Sequence, residues 1–258
     1  MSEQRDKNLW IFNAGNSFAG NPKWMFEYII RHHKEIKPVW MCYNADTMNY
    51  VHKLGYEAEL YHSSKGKSVM AKAGVYVVEM CKEVFQPELS GITVLNLWHG
   101  VGCKSIERKV TDGFLQERIA KKYIQNNDIL RNNQLFLVTS EIMEKHFKEQ
   151  CGIDDDKVIR AGYPRCVVND NIQSYDHDIR KKKGLSANTK LAIYCPTYRD
   201  NNGANFMKSA LPDMKRLAEV LHENNILLIL KMHPLVEKDT QYLAMKEVYL
   251  SLIHISEP

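Results

Sequence analysis

Long apolar runs are missing from this chain. No stretch approaches the roughly 20 apolar residues that a membrane-spanning helix needs, and the polar start Met1-Ser2-Glu3-Gln4-Arg5-Asp6-Lys7 has no apolar leader core. Both absences predict a cytoplasmic protein. The six cysteines (Cys42, Cys81, Cys103, Cys151, Cys166 and Cys195) form no C-x-x-C pair, which weakens zinc and dithiol redox readings. Scattered single cysteines fit a reducing compartment. No cluster of metal ligands is visible, so no residue is assigned to a metal, and no cofactor is expected. An excess of one charge is also lacking, 35 basic against 31 acidic residues leaving a net of only +4. The basic residues are local and no RNA- or DNA-binding signature stands out. This argues against nucleic acid and for a phosphate-rich ligand or an anionic membrane surface.

What is present is the composition of a soluble globular chain, 258 residues with 44% apolar and 26% charged content. That length suits one large or two ordinary domains. Short apolar runs at 9–12, 38–42, 75–78, 92–98 and 135–140 read as strands. Between them lie helical patterns: Pro22 opening a helix with Trp24, Met25, Tyr28 and Ile29 in register, a helix at 45–54 ended by Gly55, a short helix at 68–72, and one capped by Ser140 and ended near Gly152. Residues 56–61 are a weaker strand candidate. The alternation predicts a parallel, doubly wound α/β sheet. The amphipathic stretch 114–124 sets Leu115, Ile119 and Tyr123 on one face, with Arg118, Lys121 and Lys122 off it. It reads as a solvated surface helix or as one resting on an anionic membrane. From 166 the pattern loosens into a polar link. Strands at 191–195 and 226–231, with a helix over 211–224, then start a second sheet.

The run 92–98 delivers His99-Gly100-Val101-Gly102 to the carboxyl end of a strand, with Lys104, Arg108 and Lys109 behind it. Ligands of open α/β sheets bind at that edge. Two close glycines are expected to take positive φ and to let a ligand approach the backbone. An imidazole beside a flexible turn and positive charge suggests a base or proton shuttle next to a phosphate; the bland alternative is a histidine capping a turn. Three further strand ends repeat the pattern with Arg165, with Thr197 and Arg199, and with Lys231 and His233. Arginine suits bidentate phosphate contacts and lysine supplies a point charge. Their convergence fits phosphoryl or sugar-nucleotide chemistry in a cleft.

Taken in order, Leu97-Trp98-His99-Gly100 with Lys104, Gly162-Tyr163-Pro164-Arg165, Cys195-Pro196-Thr197-Tyr198-Arg199-Asp200 and Leu230-Lys231-Met232-His233-Pro234 resemble the motifs of the CDP-glycerol:glycerophosphate glycerophosphotransferases, the teichoic-acid polymerases and primases of Gram-positive bacteria. The run Gly20-Asn21-Pro22-Lys23 is also similar. The resemblance implies a GT-B architecture, two Rossmann-like domains facing a cleft. It implies transfer of glycerol phosphate, or a related polyol phosphate, from a CDP-activated donor to a hydroxyl of a lipid-linked polyol-phosphate acceptor at the inner face of the cell membrane, with CMP released. The family's two essential histidines map onto His99 and His233. Gly100, Lys104, Arg165, Thr197, Arg199 and Lys231 are the expected substrate-binding residues. His99 is expected to take the proton of the attacking hydroxyl, and the second-domain residues to hold the donor phosphates. The resemblance departs at Gly102-Cys103, where the family often carries a proline-containing turn, and in lacking the family's Asp/Ser-rich element beyond Lys-x-His-Pro.

The expected division is an acceptor-side domain at 1–165, a linker at 166–190, and a partial nucleotide-donor domain at 191–249. Residues 250–258, Leu-Ser-Leu-Ile-His-Ile-Ser-Glu-Pro, resemble the translation of a transposase adapter used in sequencing libraries. Native sequence is therefore expected to end near Tyr249, leaving a C-terminally truncated fragment, and His254 is not counted as a ligand. Two other readings compete: a GT-B glycosyltransferase using a sugar nucleotide, and a non-catalytic fragment that binds anionic polymer or membrane.

Overall fold

The computed structural model describes residues 5–80, 87–112, 116–117, 119–120, 134–167, 179–196, 210–231 and 252–254. The chain divides into two compact units, Met1–Asp170 and Asn171–Pro258.

The first unit runs β1 (Asp6–Asn13), α1 (Gly20–His32), β2 (Lys37–Cys42), α2 (Ala45–Lys53), β3 (Ala58–Leu60), α3 (Ser64–Lys72), β4 (Ala73–Val78), β5 (Thr93–Asn96), β6 (Gln134–Val138), α4 (Glu141–Cys151), β7 (Val158–Arg160) and a single turn, α5 (Pro164–Val167). Its sheet has the order β3-β2-β1-β4-β5-β6-β7, and every pairing is parallel. The strand order reverses direction between β1 and β4, where doubly wound sheets open a crevice at their carboxyl ends.

Both sheet faces are apolar, as a parallel sheet requires. Side chains alternate along each strand. Phe12, Trp40, Cys42 and Val77 join Phe26 and Ile29 of α1 and Phe147 and Cys151 of α4 in one buried cluster. Ile11, Met41, Tyr76 and Val78 join Met70 of α3 in the other. The Phe26 ring stands edge-on to Phe12 at 5.2 Å and to Trp40 at 5.6 Å. Burial of each such side chain stabilises by roughly 1.5–3 kcal/mol, so α1 is anchored against β1 and β2.

Local caps decide where helices begin. Asn44 accepts from Thr47 N–H, Ser140 from Met143 N–H and Ser63 from Gly66 N–H. The last of these starts α3 at Ser64, ahead of the expected 68, because the added turn is polar and carries no apolar period. Helix α1 begins at Gly20, two residues before Pro22, which sits in its first turn. Gly20 takes φ 67°, and a β-carbon there would strike the Glu79 carboxylate. Strand β5 closes at Asn96, short of the expected 98, although Leu97 N–H still donates to Val78 O at 2.8 Å.

The second unit holds α6 (Ile179–Lys182), β8 (Lys190–Tyr194), α7 (Met214–Glu223), β9 (Ile226–Leu230) and β10 (Leu252–His254). The three strands form a parallel sheet ordered β10-β9-β8. Leu221 of α7 packs with Leu228 and Leu230 of β9 over Ala192 and Tyr194. Helix α7 starts at Met214 because Asp213 accepts from Arg216 N–H. Strand β10 lies within residues 250–258 and pairs with β9.

The basic helix expected over 114–124 lies outside the described residues, apart from Gln116, Glu117, Ile119 and Ala120, which are helical. Among the described residues, no helix is long and apolar enough to cross a membrane.

Candidate active site

His99 stands just past the carboxyl end of β5, and the backbone that carries it is unusual. Of the two glycines, Gly100 takes the expected positive φ, at 159°, and Gly102 does not; Trp98, ahead of the histidine, takes one as well, at 51°. A bulky residue in the left-handed region is strained by roughly 1–3 kcal/mol, and such strain persists only where neighbours hold it.

Four groups hold this segment. Trp98 N–H donates to the buried Asn96 side chain at 2.9 Å, and Asn96 in turn donates to Gln134 at 3.2 Å. The carbonyl of Trp98 accepts from Asn21 Nδ2 at 2.7 Å. The Trp98 ring lies against Phe136 at 5.6 Å and Phe147 at 5.4 Å. Beyond His99, the carbonyl of Gly100 accepts from the Tyr163 hydroxyl at 2.7 Å. The His99 ring stacks on Trp98 with centroids 4.5 Å apart and planes 23° apart.

Arg165, from α5, comes to the same place. Its guanidinium nitrogen lies 3.4 Å from where a β-carbon on Gly100 would stand, an ordinary contact distance that places the arginine beside this glycine. It also lies over the Tyr163 ring at 5.8 Å. Solvent reaches the His99 ring, yet the surrounding protein holds its pKa below the ordinary imidazole value. Burial is the larger cause and the Arg165 charge the second; Glu107 opposes them. A neutral imidazole has a free nitrogen lone pair, the requirement of a general base.

The loop after Gly100 rests on one face of α4. Gly102 N–H donates to Met143 Sδ at 3.3 Å, and Ile106 N–H donates to Gln150 at 2.7 Å. Between these contacts, a β-carbon on Gly102 would stand 2.3 Å from His146 Nε2. Residues 143, 146 and 150 share a helix face by spacing.

Of the expected site residues, the structure brings His99, Gly100 and Arg165 together. Lys104 is exposed further along the same loop. Lys231 follows β9 in the second unit, its N–H donating to Tyr194 O at 3.0 Å. Thr197, Arg199 and His233 lie outside the described residues. Asn21 was legible only through the resemblance of its run, and Glu79, Asn96, Gln134 and His146 had no signal, because each acts through a contact distant in sequence. Among the described residues, no three His, Cys, Asp or Glu side chains are grouped to hold a metal ion.

Comparison with known proteins follows the same lines. The profile of the CDP-Glycerol:Poly(glycerophosphate) glycerophosphotransferase family matches residues 1–256. The teichoic acid poly(glycerol phosphate) polymerase of Bacillus subtilis (strain 168) is 25% identical over 242 residues, covering 87% of this chain and 31% of that protein. The polymerase of the same name from Bacillus spizizenii is 22% identical over 262 residues, covering 94% of this chain and 64% of that one. The chain thus spans about a third of the first relative's length. The solved wall teichoic acid polymerase TagF superposes with a TM-score of 0.70 at 19% identity, covering 98% of this chain and 62% of that chain. A UDP-N-acetylglucosamine 2-epimerase from Rickettsia bellii gives a TM-score of 0.54 at 12% identity, covering 97% and 69%. These likenesses concern the fold, an α/β architecture of GT-B type.

Proposed function

Because the chain belongs to the CDP-glycerol:poly(glycerophosphate) glycerophosphotransferase family, we propose that its protein transfers glycerol phosphate, or a related polyol phosphate, from a CDP-activated donor to a hydroxyl of a teichoic-acid-type acceptor. The observation that carries this reading is the placing of His99 beside Arg165 on a locked strand end, where burial and the arginine lower its proton affinity.

In this mechanism His99 accepts the proton of the acceptor hydroxyl. The oxygen attacks the β-phosphorus of the donor, the bond from that phosphorus to the bridging oxygen breaks, and CMP leaves. General-base assistance is worth roughly 10²–10⁴-fold, with positioning and electrostatics supplying much of the remainder. Arg165 serves twice: it adds to burial in lowering the imidazole's proton affinity and offers a guanidinium to a phosphate oxygen. Gly100 and Lys104 complete the acceptor side in the first unit. Thr197, Arg199, Lys231 and His233 of the second unit are assigned to the donor phosphates and the charge developing on them. The acceptor is lipid-linked, and the protein works from the cytoplasmic side, peripheral to the membrane.

The test is CMP release from CDP-glycerol by the protein expressed from its gene, with His99→Ala beside the wild type. Release by the wild type and its loss in the variant are expected. Near-normal turnover by His99→Ala removes His99 from the mechanism. Nucleotide release from UDP-sugars in place of CDP-glycerol overturns the donor.

A further inference from the structure

We infer that Asn21 is a positioning residue of the His99 site: a single buried amide holds the backbone on which both His99 and Arg165 stand. Its side chain is fully buried. Nδ2 donates to Trp98 O at 2.7 Å, and Oδ1 accepts from Arg165 N–H at 3.4 Å. The Asn21 backbone N–H donates to Glu79 Oε1 at 2.7 Å. One residue therefore ties together the ends of β4 and β5, the start of α1 and the start of α5.

The chemistry of the position is narrow. The side chain must donate in one direction and accept in the other, and among short side chains an amide does both at this reach. Aspartate keeps the size and the acceptor, but sets an oxygen against the Trp98 carbonyl. Alanine leaves the buried Trp98 carbonyl without this donor and the part-buried Arg165 N–H without this acceptor.

The consequence for His99 follows from the backbone. Trp98 sits at φ 51°, restrained by Asn96 on its N–H and by Asn21 on its carbonyl. Releasing the carbonyl frees the peptide plane to return to an ordinary conformation. His99 is stacked on the Trp98 ring and moves with it. The same loss unties the Arg165 backbone, so the imidazole and the guanidinium separate. Arg165 and Glu107 are the charged groups that act on His99, and only the first is tethered through Asn21.

The inference rests on the proposed reaction only for its activity readout. The primary experiment is an NMR titration of the histidine rings in the 258-residue chain, comparing wild type, Asn21→Asp and Asn21→Ala, with circular dichroism reporting the fold. The variants are expected to fold with the His99 midpoint raised toward the ordinary imidazole value. A folded variant with an unchanged His99 midpoint overturns the inference. So does failure of both variants to fold, which assigns Asn21 to folding alone. In the protein expressed from its gene, Asn21→Asp is expected to lower kcat for CMP release by roughly 10²-fold while the CDP-glycerol KM stays within about twofold. A rise in KM at constant kcat also overturns it. Absence of CMP release from the wild type defeats the proposed reaction, and the titration still decides the role of Asn21.

Discussion

The hydroxyl of Tyr163 reaches across from the turn before α5 to donate to the carbonyl of Gly100 at 2.7 Å. The bond joins the two segments that supply Arg165 and His99, and Tyr163 is itself buried in the main core cluster. Tyr163→Phe keeps the packing and removes the donor. The expected loss is about 1–2 kcal/mol of stability by urea unfolding, with broadened His99 ring resonances. A loss near zero with an unaltered His99 spectrum would show that the carbonyl is satisfied by water instead.

Burial, and after it the Arg165 charge, lowers the proton affinity of His99. In the folded chain His99 holds its proton less tightly than in the unfolded chain. The unfolded state thus binds more protons in the window between the lowered value and the ordinary imidazole value. Stability rises with pH through that window and falls on acidification through it. Arg165→Met is expected to move the His99 midpoint upward, narrow that window, and shift the acidic limb of the pH–rate profile to higher pH. A midpoint that stays in place, read by NMR titration, removes Arg165 as a cause.

Gly102 is expected to reject any larger residue while His146 is present. A β-carbon there would stand 2.3 Å from Nε2 and 2.6 Å from Cδ2 of a ring already braced by Phe147 at 5.2 Å. Gly102→Ala should destabilise by about 1–3 kcal/mol, and His146→Ala should relieve most of that loss. A double-mutant cycle that is additive to within about 0.3–0.5 kcal/mol would sink this account.

Arg5 is a structural counterpart away from the site. Its guanidinium donates to the carbonyls of Met70, Ala73, Glu88 and Ser90, stitching the end of α3 to the start of β4 and to the loop before β5. Arg5→Ala should cost about 2–3 kcal/mol, and Arg5→Lys should restore less than half, since an ammonium lacks the planar fork. The His99 midpoint should not move in either variant. A thermal unfolding midpoint equal to wild type in Arg5→Ala would refute the role.

Much of the fold was legible because it is local. The apolar runs of β1, β2 and β4, the helical register of α1, and the cap at Ser140 depend on neighbours within a turn or a strand. The placement of His99 at the end of β5 was equally readable, since a strand and its following loop are contiguous. Helix α3 was read too short because Ser63 starts it through a side-chain bond that precedes any apolar repeat. The glycines at 100 and 102 invited a positive φ and Gly100 takes one; that Trp98 takes another was not legible, because its aromatic pocket and two hydrogen bonds outweigh local preference.

By itself, then, the sequence determined the strand–helix alternation, the family likeness and the candidate histidine, all consequences of period, turn chemistry and contiguous motif. Only the tertiary structure decided that Asn21 grips a carbonyl 77 residues away, that Arg165 arrives beside Gly100, and that His146 closes over Gly102. These are contacts between distant segments. They exist because burying both faces of a parallel sheet brings those segments together, a constraint that acts on the whole chain and leaves no local mark.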